Sequence, residues 1–282
     1  MATPNQSPAP NLAGLTWADL NWLPDRMTLN GFTYRLAHTK SEDWDGGDHF
    51  QFYKIKLLVD QYVHFFTKLG DFSSRNIFEL GTYDGGSTAF WYEMLRPEKL
   101  VAIDIKDGED SEYFRNWVKL GKKGDFIRTY WRTDQSDKER LRKCFYDNFS
   151  APLDLVIDDA SHLYLPSKAS FEALFPLCRP GAIYILEDWA WAHWVEGHYD
   201  PSWAFERRLT DLVIEFIEAV GTSNSLIDHL DVYQGFAAIV RGSGKIEEPF
   251  SLDKHILRHP TPSLLRKLRT RIAKILVPPC ET

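Results

Sequence analysis

Two pairs of neighbouring acids, Asp158-Asp159 and Glu187-Asp188, each close a short apolar run, and His162 follows the first pair by three residues. The runs, 155–157 and 182–186, are continuous and unbroken by polar residues, as strands buried on both faces of a parallel sheet are. Between them Phe171, Leu174 and Phe175 recur at helical spacing, and Pro180-Gly181 ends the helix. A right-handed strand–helix–strand crossover carries both strand ends to one edge of the sheet, the edge at which open α/β sheets bind ligands. This spacing brings four carboxylates and one imidazole to a single crevice. A hard cation on oxygen ligands there lowers the pKa of a hydroxyl, and an imidazole accepts the released proton. The competing reading is that the acids cap helices or form surface ion pairs and that His162 only orients Asp159.

The elements that position these groups follow an α/β rhythm. Apolar residues between 50 and 69 recur at helical spacing up to Gly70. Strands are expected over 76–80, 100–105 and 125–131, and helices over 87–95 and 136–148. A long amphipathic helix is expected over 203–220. The segments 225–232 and 236–241 flank a tight Tyr233-Gln234-Gly235 turn and read as an antiparallel hairpin. Together they describe a doubly wound, seven-stranded, Rossmann-like sheet with an antiparallel C-terminal hairpin.

The loop 81–86 after the first of these strands carries Gly81, Gly85 and Gly86, which permit positive φ and close approach of the backbone to a ligand. It is not the Gly-x-Gly-x-x-Gly dinucleotide pattern. An acid, Glu79, sits beside it, unsuited to a pyrophosphate but suited to a ligand bearing an ammonium and a sulfonium. Asp104 closes the next strand, where an acid binds ribose hydroxyls in such sheets. Asp134 and Gln135 follow the third, placed to meet an adenine edge.

These residues resemble class I S-adenosylmethionine-dependent methyltransferases. Glu79-x-Gly81-x-x-x-Gly85-Gly86 is similar to their first motif, Asp104 to their ribose-binding acid, and Asp134-Gln135-Ser136-Asp137 to the adenine loop of one subgroup. Asp158-Asp159-Ala160-Ser161-His162 with Glu187-Asp188 resembles the metal-dependent macrocin and mycinamicin sugar O-methyltransferases and the cephalosporin hydroxylase-like group, over roughly 76–190. The resemblance implies cofactor contacts from Glu79, Gly81, Thr82, Tyr83, Gly85, Ser87, Asp104, Asp134, Gln135 and Asp158. It implies a divalent metal on Asp159, Glu187 and Asp188, with His162 as general base. Three carboxylates without sulfur or paired histidines favour magnesium over zinc. Ala160 stands where many members have Gly. The expected function is magnesium-dependent O-methylation of a hydroxylated small molecule, a glycoside or polyketide-like acceptor from natural-product biosynthesis. The alternatives are a hydroxylase-like reaction on the same fold and a non-catalytic cofactor-binding scaffold.

Composition sets the outer bounds. Net charge is −7, which argues against a nucleic-acid partner. There is no apolar run long enough to span a membrane and no apolar segment of signal-peptide type near the N-terminus. Cys144, Cys178 and Cys280 lack metal-ligand spacing and suit a reducing cytoplasm. Residues 1–14 read as a disordered lead, 15–70 as a cap or lid with a helix, 71–245 as the methyltransferase domain and 246–282 as a tail. A basic amphipathic helix over 262–277 suits docking on its own domain or on a second copy in a homo-oligomer better than a membrane surface. Tyr164, Trp189, Trp191, Trp194, Tyr199 and Trp203 are concentrated just past the acidic strand ends, either lining an acceptor site or forming a small second core. His193 and His198 in the same stretch read as loop residues.

Overall fold

The computed structural model describes residues 20–36 and 47–258, apart from 71, 73, 109, 196–202, 204, 223 and 224. A four-stranded sheet comes first, from β1 (Asn21–Leu23), β2 (Arg26–Leu29), β3 (Phe32–Leu36) and β4 (Phe50–Phe52), in that spatial order. The helix α1 (Lys56–Leu69) leads into the main unit: β5 (Asn76–Leu80), α2 (Gly86–Leu95), β6 (Lys99–Ile103), α3 (Glu112–Leu120), β7 (Ile127–Tyr130), α4 (Lys138–Asn148), β8 (Leu153–Asp158), α5 (Tyr164–Leu174), β9 (Cys178–Glu187), α6 (Leu209–Val220), β10 (Ile227–Val232) and β11 (Phe236–Arg241). The large sheet runs β10-β11-β9-β8-β5-β6-β7. Its five α/β strands are parallel, and β11 inserts antiparallel between β9 and β10. The expected seven-stranded sheet with its hairpin is therefore present. The strand order reverses between β5 and β8, the switch point at which ligands bind in such sheets.

Both faces of this sheet are covered. Phe78, Val156, Tyr184, Leu186 and Ala237 pack under α4, α5 and α6, where Phe171 stacks on Phe175 at 4.4 Å. Ile77, Leu155, Ile157, Ile183 and Ile185 pack under α1, α2 and the small sheet. Each such fully buried aliphatic or phenyl side chain contributes about 1.5–3 kcal/mol relative to exposure. The period-two alternation of a strand divides neighbours between the two faces, which becomes decisive at the strand ends.

Three expectations change. Residues 50–52 are not the start of a helix. Phe50, Gln51 and Phe52 are buried as β4, paired in parallel with Tyr34–Leu36, and the helix begins after Ile55. Tertiary pairing overrides the local period there. The helix expected from 203 begins only at Leu209. Arg208 is extended, and Phe205 is almost wholly exposed. The segment 112–120, unassigned from sequence, is α3, capped by Ser111 Oγ accepting from Phe114 N and anchored by buried Phe114 and Trp117. The lead and the basic tail helix lie outside the described residues. Among those residues no helix is long and apolar enough to cross a membrane.

Candidate active site at the ends of β8 and β9

The acid pairs do not all face one crevice. Asp158 turns to the α5 face, is almost fully buried, and accepts hydrogen bonds from Gln135 Nε2 (3.0 Å), Ser170 Oγ (2.6 Å) and Tyr184 Oη (2.7 Å). Burial pushes its pKa up to about 6 against the pull of these donors. Gln135 also accepts from Ser161 N at 2.7 Å, so its amide ties the loop after β7 to the loop after β8. Both polar ends meet protein partners rather than open space, so Asp158 leaves the expected set of four acids.

Asp159 lies past the strand end and turns the other way. Its Oδ1 lies 3.7 Å from His162 Nε2, and Asp188 Oδ2 lies 3.8 Å from the same nitrogen. One ligand atom from each of Asp159, His162 and Asp188 falls within 4.8 Å of the others, a spacing that can hold a metal ion. The carboxylate oxygens of Asp159 and Asp188 suit magnesium or manganese, with the imidazole beside them as a base rather than a hard-metal ligand. His162 and Asp188 have φ of 56° and 52°, a left-handed conformation that costs non-glycine residues energy and concentrates at functional sites. Gly81 makes the approach of this loop possible. A Cβ there would lie 2.0 Å from the backbone oxygen of Asp159, while the Asp159 N–H donates to Leu80 O at 2.9 Å.

Glu187, the third expected ligand, is engaged elsewhere. Both its oxygens lie 2.7 Å from Lys54 Nζ, which also donates to Asp159 Oδ2 at 2.7 Å. The Lys54 and Glu187 side chains are 2% and 1% exposed. Burial disfavours the ammonium, but Asp159 and Glu187 outweigh it, and the Lys54 pKa lies above that of free lysine. Burial and the Asp159 charge push the Glu187 pKa up, opposed by Lys54. Sequence reasoning missed Lys54. Its one signal was a lysine beside the aromatic run Phe50-Gln51-Phe52-Tyr53.

Around the glycine loop, Glu79 is buried. Its Oε2 accepts from Thr88 Oγ1 at 2.5 Å, and its Oε1 makes no hydrogen bond. Burial raises its pKa to about 7, with Thr88 foremost among the groups pulling it back. Thr82 Oγ1 meets Thr88 Oγ1 at 2.5 Å, and Ser87 stands half-buried at the start of α2. Asp104 accepts from Tyr83 N at 2.7 Å and Lys106 N at 2.8 Å, which fixes the carboxylate at the end of β6. Tyr83 packs edge-on against Tyr53 and under the Lys106 ammonium. Gly85 and Gly86 are required by the protein's own packing. Cβ atoms there would strike the Phe114 ring and Gln51 O. Asp134 is exposed and folds back onto Ser136 N and Oγ.

Comparison with known proteins bears on this same stretch. A family model described as "Methyltransferase domain" matches 78–189, from β5 through the second acid pair. Residues 78–189 are thus similar to methyltransferase domains. The chain is 31% identical over 160 residues to mycinamicin VI 2''-O-methyltransferase of Micromonospora griseorubida, covering 50% of this chain and 36% of that protein. It is 29% identical over 177 residues to demethylmacrocin O-methyltransferase of Streptomyces fradiae, covering 62% and 37%. The solved structure of the MycE methyltransferase in complex with Mg, SAH and mycinamycin VI superposes with a TM-score of 0.51 at 26% identity, covering 70% of this chain and 53% of that one. The chain thus spans little more than a third of the length of these two curated relatives.

Groups from outside the matched segment also reach these side chains. Lys54 enters from the connection between β4 and α1, and Trp203 packs edge-on against the His162 ring at 5.6 Å. Trp191 is buried and donates from Nε1 to His162 O at 2.9 Å, while Trp189 donates to Tyr233 O at 2.8 Å. Tyr164 and Trp191 belong to the core under α5 and α6, and Trp189, Trp194 and Trp203 pack against it. Much of the aromatic cluster thus extends the main core beside His162, and it forms neither a separate small core nor an open acceptor wall. His193 is exposed and meets Thr210 Oγ1, away from the acids. Tyr199 and His198 lie outside the described residues.

Proposed function

We propose that the chain is an S-adenosylmethionine-dependent O-methyltransferase that uses a divalent cation, magnesium by its donor set, on a hydroxyl of a glycosylated small molecule. The observation that carries the reading is the convergence of Asp159, His162 and Asp188 beside the Gly81 loop of a methyltransferase domain. The sugar acceptor is supported by relatives named for 2''-O- and rhamnosyl 2'-O-methylation, and the cation and cofactor by MycE, solved with Mg and SAH.

The residues present fit both groups. Asp159 and Asp188, with Glu187 behind them, would hold the cation. Glu79, whose buried Oε1 has no partner, would face the cofactor's ammonium, and Asp104 its ribose. Gly81, Thr82, Tyr83, Gly85 and Ser87 form the turn between these acids. Asp134 stands at the outer rim, and Gln135 and Asp158 support the wall from inside. When bound, the cofactor supplies a methyl group on sulfonium and the cation supplies Lewis acidity to the acceptor hydroxyl.

His162 then takes the hydroxyl proton at Nε2 as the C–O bond forms and the C–S bond breaks. That nitrogen faces two carboxylates, so the proton arrives beside negative charge. Trp203 against the ring and Trp191 on the backbone oxygen hold the imidazole in place, and such orientation supplies much of the rate. The test is incubation of the full chain with isotope-labelled S-adenosylmethionine and a panel of glycosylated polyketides, followed by product mass. One transferred methyl, abolished by chelator and restored by magnesium, is expected. Full transfer in excess chelator removes the cation from the reaction, and no transfer to any hydroxylated acceptor overturns the reading.

A further inference from the structure

The Lys54 ammonium has three N–H donors, and three carboxylate oxygens surround it at 2.7 Å: Asp159 Oδ2, Glu187 Oε1 and Glu187 Oε2. Its bonding capacity is filled by two of the three acids assigned above to the cation. Glu187 is closed off on every side, with both oxygens engaged and 1% exposure. Asp159 is shared, with Oδ2 on Lys54 and Oδ1 turned toward His162 and Asp188. A cation cannot gain Glu187, or both oxygens of Asp159, while the ammonium holds them. A second positive charge beside Lys54 is also repelled across a site with little water to screen it.

We propose that Lys54 and the divalent cation are alternative counter-ions of Asp159 and Glu187. The ammonium neutralises the buried carboxylates until the metal enters, and metal binding drives it off. This rests on the reading of these acids as a cation site. Lys54 is then a positioning residue that sets how much free cation is needed to arm the enzyme. The geometry of the lysine supports the exchange. It is carried on the short connection between β4 and α1, outside the methyltransferase segment, and reaches in on a flexible four-carbon stem. Releasing it breaks no strand pairing or helix hydrogen bond.

The test is Mn²⁺ binding to the whole 282-residue chain, followed by calorimetry and by the paramagnetic signal of free Mn²⁺. Lys54→Met removes the competing charge at nearly constant volume and should tighten Mn²⁺ binding by about tenfold or more. Because that variant leaves Glu187 buried without its counter-ion, the same comparison is made with Glu187→Gln against Lys54→Met/Glu187→Gln. The amide needs no counter-ion, and freeing Asp159 should again tighten binding. Mn²⁺ should also raise the melting temperature of Lys54→Met more than that of the wild type. Equal affinity with and without Lys54, in both backgrounds, overturns the exchange while leaving the cation site standing. Weaker binding without Lys54 makes the lysine a support for the metal and overturns it as well. Failure of every protein, wild type included, to bind Mn²⁺ defeats the cation site and the exchange together.

Discussion

Asp158 and Asp159 are neighbours in the chain, yet the protein treats them in opposite ways. Asp158 is enclosed by an amide and two hydroxyls on the α5 face. Asp159 stands at the rim of the α1 face, paired with a buried ammonium and turned toward an imidazole and a second acid. Burial raises the Asp158 pKa, and its neutral donors pull it back without cancelling the charge. An ammonium cancels the charge and can be exchanged for another cation. The first arrangement builds a wall and the second builds a site. Glu79 on β5 is buried like Asp158 but only half served, with Oε2 on Thr88 and Oε1 left without a partner.

The sharpest way to break this contrast is to neutralise both sides of it. His162→Ala and Asp159→Asn should each lower kcat by about 10²–10⁴-fold, the range for losing a general base or its immediate partner. Asp158→Asn should keep turnover within about tenfold, because its carboxylate is buried on the α5 face with both oxygens taken by Gln135, Ser170 and Tyr184. Steady-state kinetics with magnesium saturating compares the three. An Asp158→Asn loss as deep as that of Asp159→Asn would erase the distinction.

The next largest effect is on stability. Removing one partner of a buried ion pair costs about 3–5 kcal/mol, so Lys54→Met should lose that much in metal-free urea denaturation. Adding Glu187→Gln should recover a substantial part of it. A Lys54→Met protein as stable as the wild type would mean that the ammonium contributes nothing to holding the carboxylates.

A somewhat smaller effect follows from Glu79. Its folded pKa of about 7 lies above the ordinary value of 4.5. The folded state therefore binds the proton more tightly than the unfolded state. This contribution to stability is fully present below pH 4.5 and is lost as pH rises to 7, roughly 3 kcal/mol in all. Glu79→Gln should flatten that part of the stability–pH profile in metal-free, cofactor-free protein. An unchanged slope between pH 4.5 and 7 would show that Glu79 does not titrate there.

The smallest effect is expected at Asp104. Asp104→Ala should weaken S-adenosylmethionine binding by about 1–3 kcal/mol, the cost of leaving polar partners unmet. Calorimetry giving wild-type affinity would take Asp104 out of the cofactor site and leave it only the backbone N–H groups of Tyr83 and Lys106 to hold.

Local chemistry made much of this protein readable from its chain. Short apolar runs ending in acids mark parallel strands and their ligand-binding edge, so β5, β8, β9 and the hairpin of β10 and β11 fall close to where the residues place them. Asp159, His162 and Asp188 meet because strand–helix–strand connections have one hand. Tertiary structure decided what depends on partners distant in sequence. The 50–52 segment became a strand because β3 was there to pair with it. Asp158 left the crevice because β8's alternation continues to the last residue of the strand, whereas Asp159 had already entered the loop. Lys54 reaches its carboxylates across separations of 105 and 133 residues. No periodicity or motif encodes such a contact, because it arises only when segments distant in the chain close over the same buried charge.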